Sequence, residues 1–216
     1  MPALNPTNTP EPVPVAAFDF DGTLTKGDSF IPFLRRSLGW MGFARMLLLS
    51  APWLLAYALR LMSNHRAKSR LLWVSLAGRH RADFQRHADA FVKEYLPTQW
   101  NPWTIKQLHV HQRLGHRCVI VSASPDLYLH TVAASLGIHD VLCTEMALSG
   151  DTFTGHMATP NCHGEEKVAR LQAWLDATLG KDAKPELYAY GDTPGDKPML
   201  RLANHAWYRG QPWSAP

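Results

Sequence analysis

The chain has 216 residues, 46% of them hydrophobic, which is enough for one sizeable core, or for a core with a small inserted unit, and argues against a disordered protein. Three cysteines, Cys118, Cys143 and Cys162, form no C-x-x-C pair; this argues against a disulfide framework or a zinc site and makes the cytoplasm the expected compartment. The net charge of +4 is uneven, with ten Lys or Arg against a single acid, Asp83, between residues 35 and 86, and 12 basic against 17 acidic residues elsewhere; that segment attracts anions, yet no nucleic-acid module accompanies it and no nucleic-acid partner is expected.

Residues 1–14 carry Pro2, Pro6, Pro10, Pro12 and Pro14 and read as a flexible, extended arm. With neither a basic start nor an apolar run, the arm is not expected to be a secretory signal. Residues 15–20 are an apolar run interrupted only by Asp19 and followed by Asp21-Gly22, the pattern of a short buried strand and a tight turn. The next seventy-odd residues read as helices: 31–38, a very apolar 41–62 bent at Pro52, 66–76, and a fourth with Phe84, Ala88, Phe91, Val92 and Tyr95 on one face. Pro97 and Pro102 mark the exit from this block.

From Trp103 helices and strands alternate. A helix to Leu114 is followed by a strand at 118–121, a helix at 125–136 capped by Ser124, and a strand near 141–144. Gly150-Asp151 and Gly155 suggest a small hairpin within 147–159. A helix with Val168, Leu171, Leu175 and Leu179 on one face comes next, then a strand at 187–190, a short helix from Pro194 and a last strand near 206–208. Such alternation predicts an α/β fold, a doubly wound parallel sheet of Rossmann-like type, with an all-helical block inserted after the first strand. The expected division is an arm at 1–14, a core at 15–29 and 101–216, and a helical unit at 30–100.

In open parallel sheets ligands bind at the carboxyl ends of the strands, and three predicted strands end in polar groups: Asp19 and Asp21, Ser122, and Gly191-Asp192. Two residues apart on a strand, Asp19 and Asp21 are expected to address one bound group. Gly22 allows a sharp turn and exposes backbone N–H groups to an anion. Lys167 sits badly with the dipole in the first turn of its helix, unless it binds an anion or a carboxylate cluster. A lone D-x-D is ordinarily a solvated turn. Three carboxylates, a lysine and a serine, each after a strand or opening a helix, suit magnesium and a phosphate group.

The segments DFDGTLT from Asp19, SAS from Ser122, CHGEEK ending in Lys167 and GDTPGDKPML from Gly191 together resemble the haloacid dehalogenase superfamily, and more narrowly its phosphoserine-phosphatase-like branch. The resemblance implies a magnesium-dependent phosphomonoester hydrolase acting on a small phosphorylated metabolite. Asp19 would be the nucleophile, Asp21 the acid and base, and Ser122 and Lys167 the groups that hold the phosphoryl oxygens. Magnesium would be held by Asp19, Asp192 and the backbone carbonyl of Asp21, with Asp196, Gly22 and Thr23 in support. Thr193 stands where the family often has serine and keeps the hydroxyl. Asp28, where phosphoserine phosphatases usually carry glutamate, and Ser124 are candidates for substrate binding.

In this family an insertion at 30–100 is a cap that selects the substrate. Its apolar stretch at 46–59 is short of the length that spans a bilayer and reads as buried cap core. The alternative is a helix lying in a membrane interface with Arg45 and Arg60 at its ends, in a lipid-phosphate phosphatase of the phosphatidylglycerophosphate type in peripheral contact with anionic lipid. A more distant alternative is a non-catalytic membrane-docking or binding protein. His109 and His111 are expected on different helix faces, and Trp100 and Trp103 are expected to pack the junction of cap and core.

Overall fold

The computed structural model describes residues 12–215, the side chain of Asn64 excepted. Most of the expected proline-rich arm lies outside the described residues. Its end does not: β1 (Pro14–Phe18) already begins at Pro14, where a missing N–H is tolerated at the first position of a strand.

After a tight turn at Phe20–Leu24, α1 (Phe30–Ala58), α2 (Asn64–Leu76), α3 (Arg81–Ala90), a wide turn at Phe91–Tyr95 and α4 (Leu96–Gln99) form the helical insert. The two helices expected at 31–38 and 41–62 meet at Gly39, whose φ of 65° and ψ of 175° only glycine adopts readily; Pro52 stays within the helix and no residue beside it leaves helical geometry. The helix also ends earlier than expected. Arg60 takes a φ of 59° and Leu61 N–H reaches back to the Ala56 carbonyl at 2.8 Å, closing α1 in the manner of a left-handed C-cap.

The remainder comprises α5 (Pro102–Arg113), β2 (Arg117–Pro125), α6 (Asp126–Ser135), β3 (Asp140–Thr144), the antiparallel pair β4 (Met146–Ser149) and β5 (Thr152–Met157), α7 (Glu165–Leu179), β6 (Glu186–Gly191), α8 (Lys197–Leu202), β7 (His205–Tyr208) and β8 (Gln211–Pro212). The main sheet has the order β3-β2-β1-β6-β7-β8, parallel except for β8. This is the expected α/β arrangement with a helical insert after the first strand.

Alternation along β1 explains the two layers. Ala16 and Phe18 face one side, where they join a core that runs through Phe20, Tyr128 and Tyr190 into Phe33, Phe43, Leu72, Phe84 and Phe91 of the insert. Val15 and Ala17 face the other, against Leu171 and Leu175 of α7 and Met199 and Leu200 of α8. Each fully buried Val, Leu, Phe or Met among them contributes about 1.5–3 kcal/mol relative to exposure. The insert is therefore continuous with the sheet's core. The β4–β5 hairpin also leans on it: Gly78 N–H donates to the Phe153 carbonyl at 2.9 Å, and a Cβ at Gly155 would meet the backbone of Trp73 at 2.9 Å.

Candidate active site

The chain leaves β1 toward β2 and β3 on one side and returns to β6 on the other, so the sheet's switch point lies between β1 and β6. Asp19 is the first residue past β1, its N–H donating to the Tyr190 carbonyl at 2.9 Å. Asp192 is the first past β6. Thr23 Oγ1 lies 3.2 Å from Asp19 Oδ2 and 3.0 Å from Asp192 Oδ1, and its single proton serves one at a time.

Asp21 reaches the same cavity by a different route from the one expected. The strand stops at Phe18, and Asp21 sits in the following turn, not on the pleat. Gly22, with φ 80°, makes that turn, and a side chain there would collide with the Asp192 carboxylate. Asp21 Oδ1 accepts from the Ser29 N–H at 2.7 Å, and Oδ2 accepts from the Ser124 hydroxyl. Ser124 is thus no helix cap: β2 runs on to Pro125, and Ser124 is spent on Asp21. Burial raises the Asp21 carboxyl above its ordinary range against the pull of these two donors.

Lys167, in the first turn of α7, is 1% exposed. Its ammonium donates to Asp19 Oδ1 at 2.6 Å and to Asp196 Oδ1 at 2.5 Å, which resolves its poor position on the helix dipole. Burial alone would lower this lysine, but the two carboxylates more than offset it and hold its pKa up. The two carboxylates diverge. Burial pushes Asp19 up to about 7, with Lys167 pulling against it. Burial also acts on Asp196, yet Lys167 and the Thr193 N–H and hydroxyl, both on Oδ2, bring it below the ordinary value. The difference lies in donors, since Asp196 has several and Asp19 few.

Oxygens of Asp19, Asp192 and Asp196 lie within 4.8 Å of one another. Asp196 has both oxygens occupied, by Lys167 on one side and by Thr193 and the Asp192 N–H on the other. Asp19 Oδ2 and the Asp192 carboxylate, which share only the Thr23 hydroxyl, remain as the hard-oxygen pair. Burial and Asp196 raise the Asp192 carboxyl, against the pull of the Thr23 hydroxyl and Lys167. The donor set fits a divalent metal of the magnesium type.

Ser122, also buried, accepts from the Ser124 N–H at 3.1 Å. With Asp19, Asp21, Asp28, Ser124 and Lys167 it lines a cavity of about 740 Å³ whose opposite wall is made by Ile31, Leu54, Tyr57 and Leu71 of the insert. Asp28 stands at the exposed edge, with Oδ2 accepting from the Ile31 N–H at 3.0 Å in the first turn of α1. All the residues expected at the site except Gly22, Thr23 and Asp192 line the cavity, and those three form its β1–β6 floor through the contacts above.

The sequence reading missed Lys68. From α2 its ammonium crosses the cavity to the Ala123 carbonyl and to Asn161 Oδ1, the latter at 3.0 Å. Burial lowers it to about 8. The available signal was weak: it is the one lysine among the ten basic residues between 35 and 86, next to the buried Ala67 and Leu71. His109 is exposed, whereas His111 is buried and bonded to Tyr190 Oη and His116 Nδ1, each at 2.8 Å. Trp100 packs on Phe20 and Trp103 on Tyr190, at the expected junction.

Residues 16–201 match the family of haloacid dehalogenase-like hydrolases. The chain belongs to that family. It is 36% identical over 201 residues to protein CicA of Caulobacter vibrioides, covering 90% of this chain and 85% of CicA. In fold it is similar to a protein of unknown function from Bordetella pertussis Tohama I, with a TM-score of 0.75 at 19% identity over 90% of this chain and 89% of that one. It is also similar to a phosphoserine phosphatase solved as a phospho-aspartyl intermediate analogue, with a TM-score of 0.60 at 12% identity over 91% and 86% of the two chains. The haloacid dehalogenase fold is thus present in a form similar to that of phosphoserine phosphatase, and the chain is a hydrolase of this family.

Proposed function

We propose that this chain hydrolyses a small phosphomonoester through a phosphoaspartate on Asp19. The observation that carries the reading is the arrangement around one buried ammonium: Lys167 fixes Asp19 on one side, while Asp21, held by Ser29 and Ser124, faces the same cavity.

In the first step a carboxylate oxygen of Asp19 attacks phosphorus as the bond to the leaving oxygen breaks, and Asp21 gives that oxygen its proton. In the second, Asp21 takes a proton from water, the water oxygen bonds to phosphorus, and the Asp19–phosphorus bond breaks to release phosphate. A carboxyl raised by burial suits both halves of this cycle. Ser122 and Lys167 are placed to balance charge on the phosphoryl oxygens. Asp196 acts through Lys167, as a positioning residue. Magnesium, when bound by Asp19, Asp192 and the Asp21 carbonyl, would supply charge neutralisation at the phosphoryl group.

Residues 30–100 would serve as the cap over a core of 15–29 and 101–216, with Lys68 and Asp28 on the substrate side, and the enzyme would work in the cytoplasm. Phosphate release from an aryl phosphate tests the reading. Turnover is expected with added Mg2+, to be lost with a chelator, and to require far more Mg2+ in Asp192→Asn; chelator-insensitive turnover would overturn the metal's part, and none under any condition the whole.

A further inference from the structure

We infer that the exposed face of α1 is a docking surface for an anionic phospholipid bilayer. The inference stands independently of the phosphatase reading.

Beyond Gly39 the helix has two unlike sides. Phe43, Met46 and Ser50 are buried against the core. Met41, Ala44, Leu48, Ala51 and Leu55, spaced three and four apart, form the opposite stripe, and Met41, Leu48 and Leu55 are 85%, 76% and 61% exposed. Trp40 at 75% and Leu61 at 79% extend it at either end. A contiguous apolar strip of this kind marks an interaction surface. This overturns the expectation of a helix buried in the cap. By length and composition Phe30–Ala58 could cross a membrane, but its break at Gly39 and its buried stripe give it the geometry of a helix lying along a surface.

Charge selects the occupant. Arg45, one residue from the strip's Ala44, and Arg60, at the helix end, are exposed. Asp83 is the single acid between residues 35 and 86. A second copy seated on this face by a two-fold axis would bring this basic, nearly acid-free surface against the same surface and offer the arginines no partner, whereas an anionic leaflet supplies one. Leu54 and Tyr57, which line the cavity, lie on the side of Ser50, so the strip faces away from the cavity wall.

Flotation of the full chain with phosphatidylcholine vesicles, with and without phosphatidylglycerol, tests the inference. Binding is expected to the anionic vesicles, to weaken with added salt, and to fall about fivefold in Arg45→Ala. The double variant Leu48→Glu/Leu55→Glu alters two exposed positions outside the cavity. It is expected to abolish flotation while aryl phosphate turnover, which also reports its folding, stays within about twofold. A wild-type chain that stays soluble beside anionic vesicles, or a double variant that floats equally well, overturns the inference. So does a wild-type dimer that fails to float and that the double variant splits into monomers. Flotation is read without turnover, so a chain that floats but releases no phosphate contradicts the proposed function and upholds the docking surface.

Discussion

The carboxyl ends of β1 and β6 bury charge, while α1 of the insert exposes apolar surface, and each departs from the usual partition in the opposite sense. At the strand ends Asp19, Lys167 and Asp196 are shielded from water and bonded to one another. On the insert Met41, Leu48 and Leu55 face outward. The lesson is that these two exceptions point to different kinds of work: a buried, mutually satisfied set of charges is suited to chemistry, and an unpaired apolar strip is suited to contact. Separate variants should disturb one and spare the other.

The largest effect is expected at the buried charges. Lys167→Met leaves two buried carboxylates without their cation and is expected to lose about 3–5 kcal/mol of stability by urea denaturation, together with turnover. Retention of wild-type stability would show that the triad is dispensable to the fold. Asp21→Asn is expected to lower kcat by about 10² to 10⁴ with the fold intact, and a near-normal rate would remove it from proton transfer. Lys68→Ala loses a charged hydrogen-bond donor at the cavity and is expected to raise KM about tenfold, with less change in kcat.

A smaller, pH-dependent effect separates the site from its supporting core. Burial lowers the His111 imidazole to about 4 from an ordinary 6.5, so the fold favours the neutral ring. Its contribution to stability is complete above about pH 6.5 and is lost as pH falls toward about 4. Asp19, raised to about 7 by burial, contributes in the opposite direction, its share being lost as pH rises through that value. The comparison is therefore wild type against His111→Gln, whose difference in unfolding free energy should shrink between pH 6.5 and 4. A constant difference would mean that His111 does not titrate in that window.

Much of the site was legible because its members occupy positions that the chain's order defines. Asp19, Ser122 and Asp192 each follow or end a buried apolar run, and Lys167 opens a helix where a cation is unwelcome. What escaped depends on tertiary approach. Ser124 has the local pattern of a helix cap, and only the proximity of Asp21 reassigns it. Lys68 lies far along the chain from Ala123 and Asn161, and nothing local announces their meeting. The exposure of α1 was hidden for another reason: a helix apolar nearly all round does not reveal by periodicity which face is covered. The boundary expected between residues 38 and 41 falls at Gly39, while Pro52 stays within the helix with no non-helical residue beside it.

The most direct test of the proposed chemistry is covalent. Wild-type enzyme mixed with a phosphate-labelled monoester and quenched in acid is expected to retain label that hydroxylamine releases, as an acyl phosphate does, while folded Asp19→Asn carries no label and turns over no substrate. Label on the Asn variant, or turnover close to wild type, would contradict the assignment of Asp19 as the nucleophile.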